Sequence, residues 1–220
     1  MFGAGLLAVL LLAGPALGQA RPTDEQFRYR WRLRNFVGSI AGLFLPNQGE
    51  GELSFKTANG RLTSELLITS SASKQGEYFR YGSEVDVKTL QPIRAWSAYA
   101  WRGETKTRSS PVDQRGVLDI ASGIYAIRQD PPTKPRRMEI WSDGRIYPVV
   151  VIPLKDEKRK VGGRTVDVRH FSIRGVEIPE RRKWKGKLDL WLAKDEISTP
   201  VEILISRNLA DVQMELLPPG

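Results

Sequence analysis

The stretch GVLDIASGIYAIRQ, residues 116–129, is the one part of the chain whose apolar residues recur at helical spacing. Val117, Ile120, Ile124 and Ile127 are separated by three, four and three positions, with Ala121 among them, which places them on one stripe of a 3.6-residue period. Asp113 stands ahead of the stripe as a candidate N-cap, Arg128 suits the negative end of the helix dipole, and Pro131-Pro132 forbids continuation. Almost everything else reads as strand. A lone amphipathic helix among strands must lay its stripe on a sheet, so this stretch decides the fold class.

Towards the N-terminus the clearest strand is residues 27–36. Phe27, Tyr29, Trp31 and Leu33 alternate there with Arg28, Arg30, Arg32 and Arg34. A period of two sends the aromatics to one face and the arginines to the other. Such a row of guanidinium groups can fork onto phosphates or carboxylates. It can equally be a solvated face relieved by acids on a neighbouring strand, and Glu50, Glu52 and Glu65 lie in the segments that follow.

Further strands are expected at 51–57 and 61–70, joined through Asn59-Gly60, then at 77–88 and 93–105. Residues 106–111 read as a loop leading into the helix. Beyond it come a hairpin of 134–141 and 145–153 turning at Asp143-Gly144, a charged turn at 155–163, and strands at 164–175, 186–193, 200–207 and 212–217. The expected fold is therefore mainly β: a strongly curved antiparallel sheet or incomplete β-barrel of about ten strands, with one amphipathic helix on its concave face. No linker or repeat divides residues 21–220, which read as a single domain.

Residues 1–20 carry no charged side chain, and the apolar run at 6–13 is broken by Gly14-Pro15 and followed by small residues. This reads as a signal peptide cleaved after Gly18 or Ala20, although the usual positive start is missing. The run is too short to span a bilayer, which takes about 20 residues. A periplasmic location is the resulting expectation, with no transmembrane segment after cleavage. The chain has 220 residues, no cysteine and a formal net charge of +9. Absence of cysteine removes disulfides, thiol catalysis and thiolate metal sites. The positive balance favours anionic partners, and for an exported protein lipid headgroups or acidic glycan come before nucleic acid.

No constellation names a reaction. His170 is the only histidine, no Gly-x-Ser-x-Gly elbow exists, and Asp119, Asp189 and Asp195 read as ordinary helix, strand and turn residues. The expectation is a non-enzymatic protein with no catalytic residues, no metal and no cofactor. A basic run at 181–187 sets Trp184 among Arg181, Arg182, Lys183, Lys185 and Lys187, a composition that suits a lipid headgroup interface or a polyanionic glycan.

Four stretches taken together resemble a family of exported bacterial proteins, domain of unknown function 3108: residues 27–31, 119–128, 140–149, and 190–195 followed by Pro200-Val201. The chain departs from that pattern at Gly123, where the family more often carries a bulkier residue and where glycine costs about 1 kcal/mol of helix propensity. The resemblance implies a β-rich periplasmic fold similar to that of lipoprotein-carrier proteins, whose half-barrel and helical lid enclose acyl chains.

Two functional expectations follow. In the first, a lipid-like or other amphiphilic ligand lies between sheet and helix against Trp31, Trp96, Trp101, Val117, Ile120, Ile124, Trp141 and Trp191, its anionic head meeting Arg28, Arg30, Arg32, Arg34, Arg182, Lys183 and Lys185. In the second, the core is solid and the protein is an envelope interaction or scaffold protein whose basic face meets acidic glycan or a partner protein.

Overall fold

The computed structural model describes residues 24–34, 47–70, 76–101, 103–207 and 210–218. The predicted leader at 1–20 and the last two positions of the predicted 27–36 strand lie outside these described residues. The elements are β1 (Glu25–Arg34), β2 (Gln48–Ala58), β3 (Arg61–Ser70), β4 (Tyr78–Asp86), β5 (Pro92–Trp101), β6 (Glu104–Pro111), β7 (Val117–Leu118), α1 (Ile120–Gln129), β8 (Arg136–Ser142), β9 (Arg145–Pro153), β10 (Glu157–Val161), β11 (Arg164–Gly175), β12 (Lys187–Ala193), β13 (Pro200–Arg207) and β14 (Ala210–Leu216).

These strands form one 14-stranded sheet in the order β6-β5-β4-β3-β2-β1-β14-β13-β12-β11-β9-β8-β7, with β10 paired to β11 beyond the end of β9. Two meanders are thus joined where the first and last strands meet, with Tyr29 opposite Leu216 and Trp31 opposite Met214. All pairings are antiparallel except that of β7 with β8. The sheet exceeds the expected ten or so strands because β6, β7 and β10 join it. Strand β6, ETKTRSSP, is exposed along almost its whole length, and β10, EKRKV, opens with four consecutive charged residues, so neither shows an apolar period of two. A charged edge strand such as β6 protects the sheet against pairing with another chain.

The inner face of the curve carries Phe27, Tyr29 and Trp31 of β1, Leu53 and Phe55 of β2, Leu62 and Leu66 of β3, Val85 of β4, Val149 and Val151 of β9, Phe171 of β11, Leu190 of β12, Ile203 of β13 and Met214 of β14, all buried in one cluster with the helix. The curve does not close by a hydrogen-bonded ladder. Ala95 lies on the inner face of β5, opposite Ser83, whereas Trp141 alternates with the inward Ile140 and so faces outward from β8. These two residues nevertheless pack together with Val112 and Val117. The β5–β6 edge therefore laps over the outside of the β7–β8 edge. Trp141 Nε1 donates to Ser110 Oγ at 3.1 Å and Arg108 Nη1 to the Asp143 carbonyl at 2.5 Å across the lap.

The helix begins later than its apolar spacing predicts. Its N-cap is Asp119, not Asp113, and Val117 belongs to β7, where it faces the lap and not the helix stripe. One strand residue, Val117, happens to continue the helical spacing. The cap also ties the helix to the sheet: Asp119 Oδ1 accepts from the Ser122 amide at 2.9 Å, Ser122 Oγ at 2.6 Å and Ser83 Oγ at 2.6 Å, and Oδ2 accepts from the Ala121 amide at 3.1 Å. Ser64 and Ser83 interrupt the apolar inner faces of β3 and β4 and let the first helical turn come close.

At the other end Arg128 does more than complement the dipole. Its guanidinium forks onto Glu25 of β1 at 2.8 and 3.1 Å and donates to the carbonyls of Ser198 at 3.1 Å and Ile197 at 2.9 Å. It lies against the rings of Phe27 and Phe55. Helix and sheet are thereby fastened at both ends of α1. Among the described residues no helix is long and apolar enough to cross a membrane.

Candidate functional site

The outer face of β1 presents Arg28, Arg30, Arg32 and Arg34, all exposed, in the predicted alternation. Residues two apart on a strand are separated by roughly 7 Å, so the row offers evenly spaced cations. Register sets Glu52 opposite Arg28, Glu50 and Glu215 on either side of Arg30, Gln48 and Gln213 on either side of Arg32, and Asp211 opposite Arg34. Side chains directly opposite share a face, so the first two arginines stand among carboxylates. Arg32 pairs with Glu215 at 2.7 Å, and Glu65, the other expected partner, pairs with Arg80 instead.

Beside the 34 end of this row the β10–β11 hairpin extends past β9, because β9 pairs with residues 171–175 of β11 and β10 with residues 164–168. A cleft of about 290 Å³ opens there, lined by Arg32, Arg34, Arg159, Lys160, Glu202, Gln213 and Glu215, with Val161, Val201 and Leu216 as its apolar wall. Glu202 is buried at the floor of the cleft. Its Oε1 accepts from Gln213 Nε2 at 2.7 Å, and Gln213 Oε1 in turn accepts from Arg32 Nε at 3.3 Å. Burial pushes the Glu202 carboxyl up, against the opposing pull of Arg159 and the Gln213 bond. The Arg159 Nε lies 3.4 Å from Glu202 Oε2, yet it is buried without a well-formed hydrogen bond.

Under the cleft a second polar group links β10, β11 and β12. The Trp191 ring is sandwiched between His170, 4.2 Å away centroid to centroid, and the Arg159 guanidinium at 4.4 Å. Trp191 Nε1 donates to Glu157 Oε1 at 2.5 Å, and His170 Nδ1 lies 3.0 Å from the same oxygen. His170 Nε2 faces Asp189 Oδ1 at 3.7 Å, beyond hydrogen-bond length, and both atoms are buried without partners. Burial acts to raise the Asp189 carboxyl, but the neighbouring His170, Lys187 and Ser172, with Lys187 Nζ at 2.5 Å from Oδ2, outweigh it and hold the group down at about 2. Ser172 is buried and its Oγ accepts from Arg174 Nε, so it does not stand exposed beside the imidazole. Among the described residues no group of three or more His, Cys, Asp or Glu side chains is arranged to hold a metal ion.

His170 is a strand residue of β11 that shares the outer face with Trp191, Asp189 and Glu157. The signal that finds this group is phase. Leu188, Leu190 and Leu192 face inward, as do Phe171 and Ile173, which sends Asp189, Trp191, His170 and Ser172 to the outer face together.

The residues assigned to an apolar ligand do not converge. Trp31, Ile120 and Ile124 lie in the inner cluster, Trp31 donating through Nε1 to the Thr69 carbonyl at 2.7 Å. Val117 and Trp141 lie in the lap, and Trp191 lies in a small outer cluster with Val168, Ala193 and Val201. Trp96 is on the outer face, opposite Gly82, where its ring lies 2.6 Å from the place a Cβ would occupy, and Arg94 stacks on it at 5.3 Å. Trp101 ends β5, and its side chain lies outside the description. The anion-binding set also divides. Arg32 and Arg34 line the cleft, while Arg182, Lys183 and Lys185 occupy a separate segment between β11 and β12. Trp184, the aromatic of that basic run, is buried in the inner cluster with its ring against Gly186, so it is not an exposed interface anchor.

No family model matches the chain, and no curated protein matches it. Among solved structures the chain is similar to a β-barrel-like protein of domain of unknown function 1849 from Brucella abortus, at 10% sequence identity and a TM-score of 0.49, over 90% of this chain and 97% of that one.

Proposed function

We propose that this is a non-enzymatic periplasmic protein of the cell envelope whose basic outer face binds an acidic glycan. The observation that carries this reading is the run of Arg28, Arg30, Arg32 and Arg34 along one strand face into a cleft that adds Arg159 and Lys160. A regularly charged polymer matches evenly spaced cations better than a single headgroup does. Export is read from the apolar run at 6–13, and the resemblance to domain of unknown function 3108 from the four sequence stretches.

The test is titration of the protein with polygalacturonate and with neutral dextran, for the native chain and for the variant with Arg28, Arg30, Arg32 and Arg34 all changed to Gln. Binding of the acidic polymer only, lost in the variant, is the expected result. Equal affinity in the variant would remove the outer face from consideration.

A second reading, an amphiphile between sheet and helix, is favoured by Gly123. That residue is buried in α1, yet a Cβ built there meets nothing within 4 Å, so open space borders the helix at this point. Against it stands the dispersal of the tryptophans over separate clusters.

A further inference from the structure

We infer that the outer cleft is a subsite for one carboxylate-bearing sugar ring, a uronic acid unit, which deepens the acidic-glycan reading and rests on it. The cations are not equivalent. Arg32 is engaged by Glu215 and Gln213, and Arg159 by Glu157 and the Trp191 face. Arg34 and Lys160 both line the cleft, and among the described residues neither is in an ion pair within 4 Å, although Asp211 stands opposite Arg34 on β14 and Arg34 acts on the Glu202 carboxyl. They are the cations of the cleft least committed to a neighbour.

The rest of the lining narrows the chemistry of that anion. Glu202 and Glu215 stand in the same cleft, and they repel a doubly charged phosphate more strongly than a singly charged carboxylate. Both are acceptors, and the Glu202 Oε2 oxygen has no well-formed donor. A ligand that fits must therefore bring hydrogen-bond donors beside its carboxylate, which ring hydroxyls supply. Val161, Val201 and Leu216 offer an aliphatic wall of the kind a sugar's C–H face covers. The volume of about 290 Å³ lies at the small end of ligand sites, which run from about 300 Å³ upward, so one ring fits and a longer segment must run out along β1. In this arrangement the carboxylate lies on Arg34 and Lys160 and the hydroxyls donate to Glu202 and Glu215.

The test uses D-glucuronate, D-galactose and inorganic phosphate as probes, followed by amide and indole NMR of the whole protein. Glucuronate is expected to give saturable shifts of the Gln213 side-chain amide and the Trp191 indole, whereas galactose and phosphate leave them in place. Arg34→Gln is expected to weaken glucuronate by about tenfold, the worth of a charge-assisted bond. Glu202→Gln is read only if its spectrum retains the native dispersion, and should let phosphate produce shifts that it does not produce in the native protein, while Arg182→Gln leaves the glucuronate response unchanged. Equal shifts with galactose or with phosphate overturn the inference, as does a glucuronate response that Arg34→Gln leaves unchanged. If polygalacturonate binds the native face while glucuronate never reaches the cleft, the subsite falls and the face reading stands. If neither binds, both fall.

Discussion

Arg128→Leu removes the fastening at the C-terminal end of α1. The Arg128 side chain is 1% exposed, and its partner Glu25 is 17% exposed. Leucine fills part of the space between Phe27 and Phe55 but leaves the Ile197 and Ser198 carbonyls and the Glu25 carboxylate without their donors. Removing one partner of a buried ion pair costs about 3–5 kcal/mol. Glu25 can recover some hydration, which puts the expected loss near the lower end, about 3 kcal/mol. Against a total stability of about 5–15 kcal/mol, that is a large fraction. Urea unfolding at neutral pH, followed by tryptophan fluorescence, should show a lower midpoint with an unchanged slope. Glu25→Gln keeps one acceptor and should cost about 1–2 kcal/mol. The double variant should lose less than the sum, with a coupling of about 1–2 kcal/mol. A loss below about 1 kcal/mol for Arg128→Leu, or strict additivity with Glu25→Gln, would refute the anchor.

Asp119→Ala should cost about 3 kcal/mol in the same assay, the sum of a lost N-cap and of buried Ser83 and Ser122 hydroxyls deprived of their acceptor. Asp119→Asn, which keeps one acceptor oxygen, should recover part of it. Asp189 is held at about 2, below its ordinary 3.8, so its contribution to stability is complete above pH 3.8 and is lost as pH falls towards 2. Asp189→Asn should flatten the acid limb of the stability curve in that window; an unchanged limb counts against the His170–Lys187–Ser172 environment. Gly123→Ala should raise stability by up to about 1 kcal/mol, since it improves helix propensity and meets no neighbour. A loss instead would show that the space beside the helix is filled.

Much of the architecture is legible in the chain, and what is not has local causes. The alternation of Phe27, Tyr29 and Trp31 with arginines gives the face of β1 directly. The hairpin turns at Asn59-Gly60 and Asp143-Gly144 take the positive φ angles such pairs favour, 51° and 75° in the first and 52° and 80° in the second. Strands β6 and β10 escape because charged residues carry no apolar period, and pairing alone makes them strands. Helix α1 is misplaced at its start because Val117 fits the helical period although it pairs with β8. The cleft is the least legible part. Arg34, Arg159 and Glu202 come from separate strands and meet only through the β1–β14 and β11–β12 pairings, a closure that no local spacing records. The tryptophans mislead for a related reason: composition shows that they sit on strands, but only phase and bulges tell which face each one takes, as Trp96 and Trp191 show.

The most direct test of the acidic-glycan assignment is native mass spectrometry of the protein isolated from its source cells without detergent, then mixed with a ladder of oligogalacturonates. The outer-face account predicts no organic-extractable adduct on the isolated protein. It also predicts added masses spaced by one uronic acid unit, absent when Arg28, Arg30, Arg32 and Arg34 are changed to Gln. A reproducible adduct that extracts as lipid, with no acidic oligosaccharide bound, would contradict it and return the ligand to the space between helix and sheet.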